Sequence, residues 1–452
     1  MEKASTAVFE ELRRNVAGID LAWRADHYVC GPRREDGERE IAAFGTTTPE
    51  LHRMLQWLKE RRVESVAMES TSVYWIPTAD ILEANGIEVV LVDAREVRMV
   101  PGRKSDVQDC QWLQKLHSCG LLHGAFRPPE AVAAVRSILR EKETLQAMRT
   151  QAIQQMQKSL DQMNIRVHHA VSDIDGKTGT AIIKAIVEGE RNPLKLARLR
   201  DRRCKQSEQE IADHLTGTWR DEHLFNLGQA FKTMQFLDER IAEYDVKASQ
   251  MFSSLAASVG TPDNPPPPDK KPTAKERADV ADKINVQKFM GFDMTLIPGI
   301  GYSTATIVAS ELGATFDRFP DERHFASYIG LAPSLGKSAG KDVRQKKRCK
   351  NTSRAGRSLR MAASTLYRSQ TELGAFFRTV ARRTDKKTAV KATARRMAHM
   401  IYRGVVYGKE YIDCGAEAYE ARLRERTLRT VRKLIRSFKI DGSEIATALA
   451  TT

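Results

Sequence analysis

Apolar positions in the first 125 residues follow two different periods. Short apolar or alternating runs predict strands at NVAGIDLA, DHYVCGPR, EREIAAFG, ESVAME and IEVVLV. Helical spacing in ELHRMLQWLKERR, which follows Thr48 and Pro49, predicts a helix between the third and fourth strands. A second helix is predicted from about Tyr74 to Ala84. Three antiparallel strands followed by helix–strand repeats therefore predict a mixed α/β sheet.

The order of these elements favours an α/β ribonuclease-H-like fold for residues 1–125. The pattern of apolar residues changes after this segment, and residues 126–258 are predicted to form a long helical region. An apolar stripe with three- and four-residue steps, at Ile153, Met156, Leu160 and Met163, is typical of a coiled coil. We assign this stripe to homo-oligomerisation, into a dimer or tetramer.

A proline-rich stretch separates the helical region from the remainder of the chain. TPDNPPPPDKKPTAKE is incompatible with a helix or a central strand, so residues 259–288 are predicted to be an extended linker and lead-in. Residues 289–452 are predicted to be a mostly α, basic domain. Within it, LIPGIGYSTATIVASELG has the form of a helix–hairpin–helix, although a glycine turn that simply joins two helices fits equally well. The stretch 416–438 is predicted to be an amphipathic, basic helix.

Charge and composition limit the classes of molecule that the protein is expected to bind. The chain has 73 Lys and Arg against 58 Asp and Glu, a net charge of +15. This excess predicts a polyanionic partner, and nucleic acid is favoured over a membrane because no apolar run approaches the length of a spanning helix. The first residues lack the apolar segment of a secretory signal, and the six cysteines contain no CxxC pair. We expect reduced thiols, no zinc site and a cytoplasmic location.

Four acidic side chains stand where isolated carboxylates are costly. Asp20 lies within the first apolar strand and Glu69 ends a later one. Asp106 and Asp109 are three residues apart at the start of a predicted helix, so they share one helical face. Each residue alone has an ordinary explanation, a loop hydrogen bond or a helix cap. Together they predict a site for Mg²⁺, most simply two ions that relieve the repulsion and promote phosphoryl transfer.

Three motifs carry a resemblance to a known family. GIDLA, AMEST and R-K-S-D-x-x-D-C resemble the acidic motifs of the DEDD insertion-sequence transposases, whose N-terminal domain is RuvC-like. SDIDGKTG with EGERNPLKLA resembles their middle region, and IPGIG, GLAP and S-A-G-K resemble their C-terminal domain. The similarity extends over nearly the whole chain.

The resemblance implies an activity and a set of site residues. Asp20, Glu69, Asp106 and Asp109 would be the metal-binding tetrad, and Ser338 would be a nucleophile that forms a covalent link to DNA. The motif reads SAGK where SGGK is common, which leaves Ser334 as an alternative. The resemblance also implies a structured guide RNA encoded by the element. From the residues alone, Ser338 is a serine in a positively charged, glycine-bearing loop, and an ordinary solvated serine fits as well.

A dense run of basic residues surrounds the serine. Between residues 337 and 360 there are ten Lys or Arg and one acid, Asp342. Such a block repels itself without a polyanion, although a solvated face is the alternative interpretation. The predicted nucleic-acid contacts are Lys104, Lys337, Lys341, Arg344, Lys346, Lys347, Arg348, Lys350, Arg354 and Arg357.

These observations predict a transposase or recombinase of an insertion sequence that cuts and rejoins DNA, acting at the bacterial nucleoid. Two other functions remain open at this point. A structure-specific nuclease that resembles Holliday-junction resolvases needs the tetrad and a water nucleophile only. A non-enzymatic nucleic-acid-binding protein needs neither the tetrad nor Mg²⁺.

Overall fold

The structure of the chain is a computed structural model. Its two compact units are residues 1–127 and 128–452, and each is considered by itself. The described residues are 11–22, 25–34, 37–70, 73–92, 106–122, 124–171, 173–202, 204, 206–258, 284–332, 335–338, 341–344, 353–408 and 414–438.

The first unit is built on one mixed sheet. Its strands are β1 (Val16–Asp20), β2 (His27–Arg33), β3 (Arg39–Phe44), β4 (Ser65–Glu69) and β5 (Glu88–Val92). They lie in the order β3-β2-β1-β4-β5. The first three strands pair antiparallel, whereas β4 and β5 run parallel to β1. The mixed sheet predicted from the apolar pattern is confirmed, and it fits a ribonuclease-H-like domain.

The described residues of this unit also contain the helices α1 (Thr48–Glu60), α2 (Trp75–Ala84) and α3 (Asp106–Ser118). The helix α1 begins with a proline in its first turn and buries one apolar face, which includes Met54 and Leu58. These side chains pack with Ile19 and Met68 of the two central strands, and all four are fully buried. The core therefore fixes the register of β1 and β4, the strands that carry Asp20 and Glu69.

Two long helices dominate the first part of the second unit. The helices of this part are α4 (Glu130–Gln162), α5 (Val167–Ala170), α6 (Lys177–Val187), α7 (Pro193–Ala197), α8 (Glu208–His214) and α9 (Asp221–Ser258). Ion pairs from Lys142 to Asp245 and from Arg149 to Asp238 show that α4 and α9 run antiparallel along each other. The long helix predicted after residue 129 is thus confirmed.

The apolar stripe of α4 has a different use from the one we expected. Met156, Leu160 and Met163 are at most 1% exposed and pack in a core formed by the same chain. Our assignment of these side chains to oligomerisation was wrong, because they contact α6, α8 and α9 of their own unit and leave no free apolar stripe. The coiled coil and the oligomer themselves stay predictions.

The remainder of the second unit is mostly helical. Residues 284–290 are helical, a 3-10 turn covers Met294–Leu296, and a second one covers Thr365–Arg368. The other elements are α10 (Tyr302–Leu312), α11 (Glu322–Tyr328), β6 (Leu335–Ser338), β7 (Lys341–Arg344), α12 (Arg354–Ser364), α13 (Glu372–Arg383), α14 (Lys386–Tyr407) and α15 (Gly415–Phe438). The predicted tail helix is confirmed as α15.

One core joins the sequence on both sides of the proline-rich stretch. Val135 of α4 and Phe252 of α9 share a buried cluster with Phe316 and Phe325 from the C-terminal part. The helical region and the C-terminal region therefore belong to one unit. The predicted linker lies largely outside the described residues, and its extended conformation stays a prediction. No helix among the described residues combines the length and apolar character needed to cross a membrane.

Candidate metal centre and serine hairpin

Two of the predicted metal ligands end neighbouring parallel strands. Ile19 of β1 pairs with Met68 of β4, so Asp20 and Glu69 come next on each strand. Because the strands run parallel, both carboxylates belong to the same edge of the sheet. Both residues are partly buried.

The helix that carries the other two acids crosses β1 in close contact. A Cβ added to Gly18 would lie 2.4 Å from the carbonyl oxygen of Cys110 and 2.4 Å from the backbone nitrogen of Gln114. Only glycine permits this approach of helix to strand. Asp106 is the first residue of α3 and Asp109 lies in its first turn, one residue before the contact. The glycine thus sets the distance between Asp109 and the strand that ends in Asp20.

Polar contacts hold α3 against the sheet along its length. The Gln114 side chain donates to the carbonyl oxygen of Val16 at 3.4 Å and accepts from Arg39 Nε at 2.6 Å. Nearer the end of the helix, His117 Nε2 and Ser65 Oγ are 2.9 Å apart in a buried hydrogen bond. Burial, with a smaller effect of the Arg13 charge, lowers the pKa of His117 to about 4. The ring is therefore neutral at physiological pH.

A pair of buried thiols lies beside the acidic positions. Cys30 on β2 and Cys110 on α3 are fully buried, and Gly18 is the cross-strand partner of Cys30. A hydrogen bond with Cys30, burial and the negative charge of Asp20 hold the pKa of the Cys110 thiol above its usual range. Cys110 directly follows Asp109, so these thiols lie beside the first turn of α3.

The donor chemistry of these positions suits a hard divalent cation, because carboxylate oxygens are the ligands that Mg²⁺ prefers. Within the described residues, however, no three His, Cys, Asp or Glu side chains are grouped closely enough to hold a metal ion. The backbone brings Asp20, Glu69 and the first turn of α3 to one region, and the tetrad as a metal site stays a prediction.

Ser338 ends a strand, and our placement of it in a loop was wrong. Residues 335–338 and 341–344 form a two-stranded antiparallel sheet in which Ser338 is the partner of Lys341 and Lys337 is the partner of Asp342. Two residues, Ala339 and Gly340, separate the strands, a length that suits a tight hairpin. Ser338 is therefore held in place by backbone pairing with the second strand.

Two glycine contacts connect the family-like motifs around this hairpin. Gly330 of GLAP has a φ of +74°, and a Cβ on Gly356 of α12 would lie 2.0 Å from the carbonyl oxygen of Ile329. Gly299 of the PGIG turn also has a positive φ and lies against Ala362 of the same helix. The turn leads directly into α10, as the helix–hairpin–helix pattern predicts. The start of α12 is thus packed onto the segment that precedes the hairpin.

The predicted nucleic-acid contacts fall into three groups. Arg354 and Arg357 lie in the first turns of α12, and both form ion pairs with Glu143 of α4. Lys337, Lys341 and Arg344 are strand residues of the hairpin. The others lie outside the described residues: Lys104, Lys346, Lys347, Arg348 and Lys350. Glu143 was not predicted, because its partners are more than two hundred residues away along the chain.

Two family models match the chain. Residues 17–165 match a DEDD transposase model of the IS110 family, and residues 294–378 match the model described as the transposase IS116/IS110/IS902 family. Together the two segments span just over half of the chain and contain all four acids and Ser338. No curated protein matches it. The family implies DNA cutting and rejoining that depends on a divalent metal ion, typically Mg²⁺. The chain belongs to the IS110 family of DNA transposases.

Proposed function

We propose that this transposase cuts and rejoins the DNA of its element with a carboxylate tetrad and a serine nucleophile. The tetrad consists of Asp20, Glu69, Asp106 and Asp109, and the nucleophile is Ser338. The observation that carries the proposal is the meeting of two parallel strand ends with the first turn of α3. The three elements that carry the four acids meet in one region, which supports a binuclear metal site.

Two Mg²⁺ ions bound by the tetrad would supply Lewis-acid stabilisation of the charge that develops on phosphate oxygens. The task of the protein is to hold the ligands in position. Asp20 and Glu69 are fixed by strand pairing, and Asp109 is fixed by the helix contact at Gly18. The burial of the sheet core beneath them limits the motion of both strands.

The serine step conserves the energy of the phosphodiester bond. Ser338 Oγ attacks a DNA phosphorus, a bond between Oγ and phosphorus forms, and the bond from phosphorus to one deoxyribose oxygen breaks. The released sugar hydroxyl takes up the proton that Oγ loses. Attack by a sugar hydroxyl of a second DNA end reverses these changes and joins the strands. The backbone pairing of Ser338 with Lys341 and the surrounding bases support this role, because cations favour a phosphate close by.

A structured guide RNA and a homo-oligomer complete the proposal. The resemblance to RNA-guided relatives supports the guide, and the net charge of +15 suits a protein that handles two nucleic acids. An oligomer, a dimer or tetramer, would bring active sites to both DNA duplexes. The surface that joins the copies is distinct from the buried stripe of α4.

A covalent adduct is the direct test of the serine. Purified protein is incubated with Mg²⁺, element-end DNA and transcripts of its flanks, and DNA–protein species are separated on a denaturing gel. Ser338→Ala should abolish the adduct and retain DNA binding, whereas Ser334→Ala should retain both. The control is Ser327→Ala, an exposed serine of α11. An adduct that persists in Ser338→Ala would remove this residue from the mechanism.

The tetrad is tested separately by the metal dependence of cleavage. Asp20→Asn and Glu69→Gln keep the size of the side chain and should reduce cleavage by several orders of magnitude. Asp26→Asn, an exposed acid on the following turn, should not change it. Cleavage that needs the tetrad but yields no adduct would favour a water nucleophile, as in a structure-specific nuclease. Cleavage that survives Asp20→Asn would refute the metal site.

A further inference from the structure

Among the described residues, the contacts that anchor the C-terminal helix α15 lie in its first half. The backbone nitrogen of Ala416 donates to the carbonyl oxygen of Gln370 at 2.9 Å. Arg422 contacts the nearly buried carboxylate of Glu372 at 3.3 Å, and Tyr419 packs edge-on against Phe376. Between residues 424 and 438 every residue except Ile435 is exposed. The first half of the helix is therefore fixed to α13, while the second half presents its side chains to solvent.

Basic and apolar residues occupy different faces of the exposed half. At 100° per residue, Arg426, Arg429, Arg432, Lys433 and Arg436 fall on one face, and they are the only charged residues from 426 to 438. Arg429 pairs with Glu425. Within the part of the chain that the structure describes, the other four bases form no ion pair. An uncompensated basic face of this kind favours a polyanion.

An open groove of about 590 Å³ between α13 and α15 is separate from this basic face. Its lining on α15 consists of Glu420, Leu423, Arg424, Thr427 and Leu428, which at 100° per residue lie on the other side of the helix. Arg382 and Arg383 line the same groove, so they do not extend the basic face.

We propose that this surface docks the phosphodiester backbone of duplex DNA. We call it the α15 basic surface, and it consists of Arg426, Arg432, Lys433 and Arg436 on the exposed half of the helix. All of it lies beyond residue 378, where the second family model ends. It is thus an addition to the part of the chain that matches the family. The inference needs only that the protein handles DNA, and it is independent of the tetrad and of Ser338.

Shape favours duplex DNA over RNA as the occupant. No aromatic residue lies on this basic face, whereas proteins that bind single-stranded RNA stack bases on aromatic rings. The major groove of A-form RNA is too narrow for side chains to enter, but that of B-DNA, about 12 Å wide, admits a helix. The exposed half of α15 has 15 residues and is about 22 Å long. It can therefore follow DNA over several phosphates.

The binding of the full-length protein to a random-sequence DNA duplex is measured by fluorescence anisotropy at several salt concentrations. The test variant combines Arg426→Gln, Arg432→Gln and Arg436→Gln. We expect the slope of log K against log salt to fall by roughly 2–3, and affinity to fall about tenfold or more at moderate salt. The matched control combines three exposed bases of α4 and α9, namely Lys158→Gln, Lys232→Gln and Lys247→Gln. It should keep most of the slope.

Four outcomes would overturn the proposal. The first is that the test variant, with its helicity confirmed by circular dichroism, retains the full salt-dependence slope. The second is that the control variant loses as much of the slope as the test variant. The test variant loses a structured RNA and keeps duplex DNA, which would assign the surface to RNA. Alternatively, Val431→Ser with Leu434→Ser on the opposite, apolar face abolishes binding while the arginine variant retains it, which would assign α15 to a protein contact. All of these experiments measure binding, whereas the metal and serine proposals are tested by cleavage and adduct formation. Failure of this proposal can therefore be distinguished from failure of those two.

Discussion

Replacement of Gly18 by alanine tests how the sheet positions the acidic helix. The backbone at Gly18 has no positive φ, so alanine is compatible with the strand itself. The added methyl group, however, would lie 2.4 Å from two backbone atoms of α3, at Cys110 and Gln114. Because these are backbone atoms of a helix, no side-chain rotation can relieve the clash. The helix must move away from β1.

The size of the effect follows from these distances. Ordinary contacts between heavy atoms are about 3.5–4 Å, so α3 must shift by about 1 Å. Overpacking of this kind costs about 1–3 kcal/mol, and the lower chain entropy of alanine in the unfolded state offsets about 0.4–1 kcal/mol of it. Asp109 is one residue from the contact and moves with the helix. A misplacement of about 1 Å at a reacting centre lowers the rate about 100-fold.

Two measurements check this prediction. Denaturant unfolding of Gly18→Ala should show a loss of stability of about 1–2 kcal/mol, and Mg²⁺-dependent cleavage should fall about 100-fold. Gly124→Ala is the control, since its added methyl group meets only Val90 at an ordinary 3.7 Å. The control should unfold and cleave almost as the wild type does. Wild-type stability and cleavage in Gly18→Ala would refute the close packing of α3 on β1.

Three further changes probe other parts of the structure. The folded pKa of His117, about 4, is below the unfolded value of about 6.5, so the unfolded state binds the proton first. The contribution of His117 to stability is therefore fully present above about pH 6.5 and decreases toward pH 4, by up to roughly 1.4 kcal/mol per pH unit. When the free energy of unfolding is measured across this pH range, His117→Gln should lack this part of the pH dependence. Glu372→Ala removes the ion-pair partner of Arg396, which lies 2.5 Å from the carboxylate. Thermal unfolding should show a loss of stability of about 1–3 kcal/mol. An unchanged stability would show that the pair adds nothing. Gly356→Ala meets the carbonyl oxygen of Ile329 at 2.0 Å, so it should displace α12 and reduce the covalent adduct, while an undiminished adduct would contradict this contact.

The sheet and its helices were predictable because burial imposes a strong period. Ile19 and Met68 lie in continuous apolar runs, and such runs are typical of central strands that are buried on both faces. The acids Asp20 and Glu69 stood out because they interrupt those runs at their ends. The register that places them side by side depends on strand pairing between distant residues, which the pattern does not specify.

The hairpin of Ser338 was missed for a physical reason. Each strand has four residues, and Lys337, Lys341 and Arg344 disguise any apolar alternation. Pairing across the short turn defines these strands, and local propensity contributes little. The stripe around Met156 was misassigned because a period shows which face is buried without showing what covers it. The contact at Gly18 had a signal, a glycine inside an apolar strand, which often marks a close backbone approach.

The most direct test of the metal site is anomalous scattering from Mn²⁺ soaked into crystals of the protein. The account predicts two peaks, about 3.5–4 Å apart, bound by the carboxylates of Asp20, Glu69, Asp106 and Asp109. Crystals of Asp20→Asn should lose at least one peak. Carboxylates that remain far apart in the presence of Mn²⁺, or ions bound only at other acids, would contradict the proposed mechanism of DNA cleavage.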